Sequence, residues 1–225
     1  MGLRRVSRRR FFRWLGALGI LVADPLRVNA APRRVEVICR RAWGARRPTD
    51  GFQRHRIRWI TVHHSAVVLL DNRLAPGRLR DHQAAHQSRG WPDIAYHLLI
   101  DRNGNVYEGR PRWAVGDTAT NYDPRGHLQV MCEGHFGQQR PSDAQVSALV
   151  DLLAWGVERY GISVRTIRGH LDHADTACPG AKLYGRLDEV RRRARDRLGL
   201  GGASLVELCG PEGRARVAAI EAGHA

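Results

Sequence analysis

Two histidines, His63 and His64, end the strand-like run in "IRWITVHHSAV", residues 57–67. A histidine and a cysteine, His170 and Cys178, lie eight positions apart in "RGHLDHADTACPG", residues 168–180. Histidine and cysteine are the side chains that hold zinc and metals of similar softness. Neighbours along a strand point to opposite faces, so one of His63 and His64 turns toward a shared site while the other packs or hydrogen-bonds. His170 follows the β-like run "SVRTI", and Cys178 is held in a loop by Pro179 and Gly180. Two imidazoles and one thiolate beyond strand ends make a three-ligand zinc set that leaves the fourth position to water, as hydrolysis requires. "HQAAH", with His82 and His86, has the i, i+4 spacing of a helical metal pair. It lacks the glutamate of H-E-x-x-H, which favours packing or solvent-facing roles.

A scaffold that displays these residues is legible in the hydropathy pattern. Alternating or β-rich runs at "RIRWITVH", "YHLLI", "NVYEG", "LQVMC" and "SVRTIR" read as strands. "DRNG", Asp101 to Gly104, places an Asn-Gly turn between the second and third, which predicts a hairpin. "PSDAQ" starts the clearest helix: Ser142 and Gln145 form a capping-box pattern, and Val146, Leu149, Val150, Leu153 and Val157 keep helical spacing up to Gly161. "GRLRDHQAAHQS" and "LYGRLDEVRRRARDRL" supply two more helices. Strands interspersed with helices predict a single α/β domain over residues 31–198, with a mixed central sheet flanked by helices. Residues 199–225 read as a C-terminal tail with one short apolar segment.

The chain has 225 residues, 43% of them hydrophobic, which suits one ordinary domain with a real core and excludes a disordered chain. Its formal charge is +15, and Lys182 is the only lysine, so the surplus is arginine. Part of that charge is an address. "SRRRFFRWLGALGILVA" resembles a twin-arginine export signal, and its apolar run Trp14 to Ala23 is about half the ~20 residues of a membrane span. Small residues at "VNA", Val28 to Ala30, suit cleavage before Ala31, and the expected product is periplasmic or extracellular with no stable membrane insertion. Seven arginines and one aspartate in residues 1–30 account for +6, leaving +9 on the mature chain. That surplus suits an anionic neighbour such as cell wall. No arginine-rich tract interleaved with aromatics follows residue 47, so nucleic acid is not an expected partner. The cysteines are Cys39, Cys132, Cys178 and Cys209, without a C-x-x-C pair; one disulfide among Cys39, Cys132 and Cys209 is compatible with export.

"RRAWGARRP", "ITVHHSA", "GWPDIAYHLLIDRNGNVYEGR", "PSDAQVSALVDLL" and "GHLDHADTACPG" occur in the order found in the peptidoglycan recognition proteins and phage lysozyme-type zinc amidases. Over roughly residues 38–190 the chain resembles that family. The resemblance implies a zinc-dependent N-acetylmuramoyl-L-alanine amidase with its zinc site at one end of a groove. Such an enzyme cuts the amide between the lactyl group of muramic acid and L-alanine, so peptidoglycan or muropeptides are the implied partners. It also implies His63, His170 and Cys178 as Zn2+ ligands, Tyr96 of "DIAYH" as the catalytic tyrosine, and Thr176 as the residue beside the scissile carbonyl.

The chain departs from the family at "GDTA", Gly116 to Ala119, where a groove histidine gives way to Thr118. It departs again at "HLQVMCEGHF", which carries His127 and His135. Both segments should line or brace the cleft. Trp43, Trp59, Trp91 and Trp113 are expected to be mostly core, Tyr107 and Glu108 to support the groove, and Asp172 to be a solvated loop residue unless it orients an imidazole. A second reading is a non-catalytic peptidoglycan-binding module, which has no need to keep three ligands. A third is a related zinc hydrolase of another acylated amine, which a narrow apolar pocket would favour.

Overall fold

Alternation within the strands assigns each residue to one side of a mixed sheet. The computed structural model describes residues 31–224, and the export signal expected over residues 1–30 lies outside them. Seven strands run in sequence as β1 (Arg33–Ile38), β2 (Trp59–His64), β3 (Leu98–Ile100), β4 (Val106–Glu108), β5 (His127–Cys132), β6 (Ile167–Gly169) and β7 (Ala203–Leu208). In space their order is β6-β2-β5-β3-β4-β1-β7. β6, β2, β5 and β3 are mutually parallel, β4 turns antiparallel to β3, and β1 and β7 run parallel to β4. The helices are α1 (Ala75–Ser88), α2 (Asp143–Tyr160), α3 (Ala181–Tyr184), α4 (Leu187–Gly199) and α5 (Pro211–Glu221).

Ile60 and Val62 of β2, with Leu128 and Val130 of β5, pack with Val146, Leu149, Val150 and Leu153 of α2 and with Leu187 and Val190 of α4. Each such side chain contributes about 1.5–3 kcal/mol by leaving water. The opposite face joins Ile38, Leu99, Tyr107 and Met131 to Trp43, to Leu79 of α1, and to Val217 and Ile220 of α5. Nearer β6, that second face turns polar: Thr61, His63, His127 and Gln129 are all buried there.

Four of the five expected strands and the three helical segments form; of "SVRTIR" only Ile167 and Arg168 are strand, in β6, because Val164–Thr166 wind into a 3-10 turn capped by Ser163, whose Oγ accepts the Arg165 N–H. Ser142 Oγ accepts the Gln145 N–H at 3.0 Å, but the Gln145 amide turns inward to donate to the Ile100 and Glu133 carbonyls, so half of the capping box exists. The last predicted helix is split into α3 and α4 at Gly185 and Arg186. The Asn103-Gly104 turn closes the β3–β4 hairpin, and Gly104 sits at φ +86° where a Cβ would lie 2.8 Å from the Ala144 carbonyl.

The segment expected as a plain tail from residue 199 is folded through residue 221. β7 adds a parallel edge strand to β1 over six residue pairs, from Arg33–Ala203 to Ile38–Leu208, and α5 packs on the face that holds α1. Cys39 and Cys209 form the disulfide, 170 residues apart in sequence, while Cys132 is a free thiol buried in the core. Closing so long a loop restricts the unfolded chain and is worth up to about 5 kcal/mol. Cys209→Ser is therefore expected to lower the melting temperature by roughly 5–15 °C in thermal unfolding followed by circular dichroism. An unchanged melt would mean that packing alone retains β7 and α5.

Candidate functional site

The parallel strands β2 and β6 direct their carboxyl ends to the same edge, and the expected ligand residues meet there. His63 is the fifth residue of β2 and shares its face with Thr61, pointing away from the α2 side; His64 takes the other face. His64 Nδ1 accepts the Phe136 N–H at 3.2 Å, and its ring lies edge-on to His135. Its backbone N–H donates to Cys178 Sγ at 3.4 Å. The divided roles that strand alternation requires are thus present.

His170 follows β6 directly, and the loop after it returns to β2. Leu171 N–H donates to the Cys178 carbonyl at 2.8 Å, closing the loop on itself. Asp172 accepts from Gly169 N–H and from the Tyr184 hydroxyl, at 2.8 and 2.6 Å, so it pins the turn and orients no imidazole. Gly180, at φ +87°, passes so close to Phe136 that a Cβ would lie 2.6 Å from its carbonyl carbon. These contacts bring one donor atom each from His63, His170 and Cys178 within 4.8 Å of one another, a group able to hold a metal ion. Cys178 Sγ is 3.6 Å from His63 Nδ1. A second cluster, Cys39, Glu207 and Cys209, has both sulfurs consumed in the disulfide.

Burial sets the charge of the group. It lowers the pKa of His63 well below the usual imidazole value, with the neighbouring histidines adding to the effect, and holds His170 down to about 4. Burial also pushes the Cys178 thiol up to about 12, against the opposing pull of the His64 N–H. Near neutral pH the metal-free set is therefore two neutral imidazoles and a protonated thiol.

Tyr96 and Thr176 join these residues along one cleft of about 370 Å³. The Tyr96 ring lies 5.1 Å from that of His63, centroid to centroid, and 5.8 Å from that of His86. Burial, then the proximity of Cys178, raises the Tyr96 pKa far above the usual phenol value, so it is a neutral hydroxyl and not a base. Thr176 Oγ1 accepts the Cys178 N–H at 3.3 Å, which keeps its own proton available to the cleft. Arg89, Trp91 and His135 also line the cleft.

The two histidines of "HQAAH" take separate partners, and His86 also lines the cleft. His82 Nε2 lies 3.0 Å from the buried Glu133 carboxylate, and His86 Nδ1 accepts the Ala95 N–H at 3.1 Å. Trp43 is fully buried, whereas Trp59 and Trp113 are 39% and 43% exposed. Glu108 accepts Arg40 N–H beside the disulfide and takes no part in the cleft. Pattern reading missed Thr120 and Tyr122: Thr120 Oγ1 is 2.9 Å from His170 Nε2, and the Tyr122 ring is 5.1 Å from the His170 ring. Both lie in the irregular stretch "GDTATNYD", which has no periodicity to mark them.

A family model described as N-acetylmuramoyl-L-alanine amidase (Amidase_2) matches residues 53–181, more than half of the chain. The chain belongs to this family. It is 31% identical over 157 residues to peptidoglycan-recognition protein SC2 of Drosophila melanogaster, covering 68% of this chain and 85% of that one. A solved structure of peptidoglycan recognition protein LE, a Drosophila protein, is in complex with tracheal cytotoxin, a monomeric diaminopimelic acid-type peptidoglycan. It superposes with a TM-score of 0.62 at 32% identity, covering 68% of this chain and 92% of that one. The N-acetylmuramoyl-L-alanine amidase LysC from Clostridium intestinale shares the fold, with a TM-score of 0.58 at 24% identity over 73% of this chain and 99% of its own. The family match begins after β1 and ends before α4, so β7 and α5 lie outside it.

The protonation state of the His63, His170 and Cys178 group has a measurable consequence. With both imidazoles already neutral and the thiol pKa near 12, zinc uptake at pH 6, where a coordinated water adds little to the proton count, should release about one proton per ion, from Cys178. Titration calorimetry in buffers of different ionisation enthalpy reads that number. Release of two or more protons would mean that the histidines are charged in the metal-free protein.

Proposed function

We propose that this protein is a zinc-dependent N-acetylmuramoyl-L-alanine amidase that hydrolyses the amide between the muramic acid lactyl group and L-alanine of peptidoglycan. The observation that carries the reading is the convergence of His63, His170 and Cys178 beside Tyr96 and Thr176 in one cleft. The donor set suits zinc: two borderline nitrogens and one sulfur, with an approach open from the cleft and, among the described residues, no fourth protein ligand in the group. His63, His170 and Cys178 would hold the ion. When bound, zinc supplies Lewis acidity, polarising a carbonyl oxygen and bringing the pKa of a water toward neutrality.

The chain's own residues do the rest. Tyr96 keeps its proton because it is buried, so its hydroxyl is a fixed donor for the oxygen on which negative charge develops. Its ring contacts those of His63 and His86, which restrict the orientations it can take. Thr176 accepts from Cys178 N–H and can donate into the cleft, linking the position of the sulfur to substrate contact. Arg89 and Trp91 at the rim offer a cation and an aromatic face to a peptide bearing carboxylates.

The relative LE bound to a diaminopimelic acid-type fragment supports peptidoglycan or muropeptides as the substrate class. We further propose export by the twin-arginine route, with residues 1–30 as the signal and a periplasmic or extracellular destination. The Cys39–Cys209 disulfide supports an oxidising compartment. Among the described residues, no helix is long and apolar enough to cross a membrane. The competing reading is a recognition module that binds without cutting, which the intact ligand set argues against.

Digestion of purified peptidoglycan should yield new L-alanine amino termini and no new reducing sugar ends, with the products abolished by a zinc chelator or by Cys178→Ala. Binding without such termini would make the protein a recognition module. Tyr96→Phe is expected to lower kcat about 10²-fold while leaving muropeptide binding nearly unchanged, as for loss of one oxyanion donor. Steady-state kinetics beside a binding isotherm tests this, and an equal loss in both would assign Tyr96 to binding.

A further inference from the structure

The cleft contains a pair of hydroxyls that ends on the far side of a ligand imidazole. Thr120 Oγ1 lies 2.9 Å from His170 Nε2, and Thr118 Oγ1 lies 2.7 Å from Thr120 Oγ1. Thr120 N–H donates to Thr118 Oγ1 at 3.1 Å, so backbone and side chain fix the two hydroxyls together. We propose that Thr118 and Thr120 form a relay that positions His170 for the metal and presents a hydrogen-bond donor to substrate at its outer end. This rests on the reading of His170 as a zinc ligand.

The segment that carries the relay is anchored on both sides. Asp117 pairs with the guanidinium of Arg110, a side chain 1% exposed that also donates to the Asp93, Ile94 and Val115 carbonyls. The Tyr122 hydroxyl donates to Gln129 at 3.2 Å, and its ring packs against His170. Buried polar groups tied at both ends hold the threonines more firmly than a surface loop could.

Hydrogen-bond chemistry gives the relay a direction. An imidazole that offers Nδ1 to a metal carries its proton on Nε2, and the partner of that N–H fixes both tautomer and ring orientation. Here the partner is Thr120 Oγ1. With a substrate acceptor at Thr118, the polarity runs outward: His170 Nε2–H donates to Thr120, Thr120 donates to Thr118, and Thr118 donates to the acceptor. Thr118 and Thr120 both line the cleft. The acceptor class is a carbonyl or carboxylate oxygen of an acylated peptide. Occupancy of the cleft at Thr118 would thereby strengthen the hold on His170.

Zinc affinity separates this role from a merely structural one. In competition with a chromophoric chelator, the full chain carrying Thr120→Val should bind zinc about 10–100-fold more weakly than wild type, and Thr120→Ser should recover most of the loss. A second readout needs no metal: long-range ¹⁵N–¹H correlation of the imidazoles should find His170 in the Nε2–H form in wild type and in mixed tautomers in Thr120→Val. Thermal unfolding of the metal-free variants reports their folding, and Thr120→Ser carries both readouts should the valine variant not fold. Wild-type affinity and an unchanged His170 tautomer in Thr120→Val would overturn the relay alone. A wild-type chain that takes up no zinc would overturn the ligand reading with it, whereas zinc uptake without amide cleavage would sink the amidase reading and leave the relay standing.

Discussion

The return of the 170–178 loop onto the end of β2 is the contact on which the candidate site depends. It brings a sulfur beside an imidazole 115 residues away in sequence, and it is held by few hydrogen bonds: Leu171 to the Cys178 carbonyl, Asp172 to Gly169, Cys178 to Thr176, and His64 to the sulfur itself. Backbone amides that would otherwise be unpaired make most of these bonds, so the loop is positioned by groups that need partners in any case. The sulfur, once there, is half-buried beside the imidazoles of His63 and His170. Each member of the group is uncharged for the same reason, because desolvation disfavours the imidazolium and the thiolate alike.

Beneath the site, the sheet departs from apolar patterning. Thr61 and His127 share a 2.7 Å contact, His97 Nδ1 accepts the Gln129 N–H, and His97 Nε2 lies 2.8 Å from the Ala114 carbonyl. Buried polar networks of this kind specify one geometry when fully paired and cost stability when they are not. The α2 side of the same strands has no such layer and is packed with aliphatic side chains. The two faces divide the work: one supplies apolar burial, the other holds a polar segment in register over the cleft.

Much of this was legible before the fold. The Asn-Gly hairpin, the Ser142 cap and the opposed faces of His63 and His64 follow from local backbone geometry, which a few adjacent residues settle. β1 and β7 are not legible as strands, because their paired residues lie 170 positions apart and "RRVEVI" looks charged until its neighbour is known. α5 was missed for a related reason: its buried Val217 and Ile220 have meaning only against Trp43 and Leu79. The choice of Cys209 over Cys132 as partner of Cys39 likewise waited on β7, since strand pairing brings the two sulfurs together while Cys132 faces the α2 core.

Residue types and local pattern carry the chemical inventory and its coarse order: which residues can hold a metal, that strands lead into the histidines, and that the chain resembles a known family of amidases and recognition proteins. Tertiary structure decided which atoms meet. Thr120 became the partner of His170 because a segment with no periodic signal is pinned by a buried arginine and a tyrosine. Asp172, a reasonable partner for an imidazole on paper, went to Gly169 and Tyr184. Local pattern encodes backbone form and facing, whereas side-chain hydrogen bonding depends on distances set by packing between elements remote in sequence, and those distances exist once the sheet and its loops have closed.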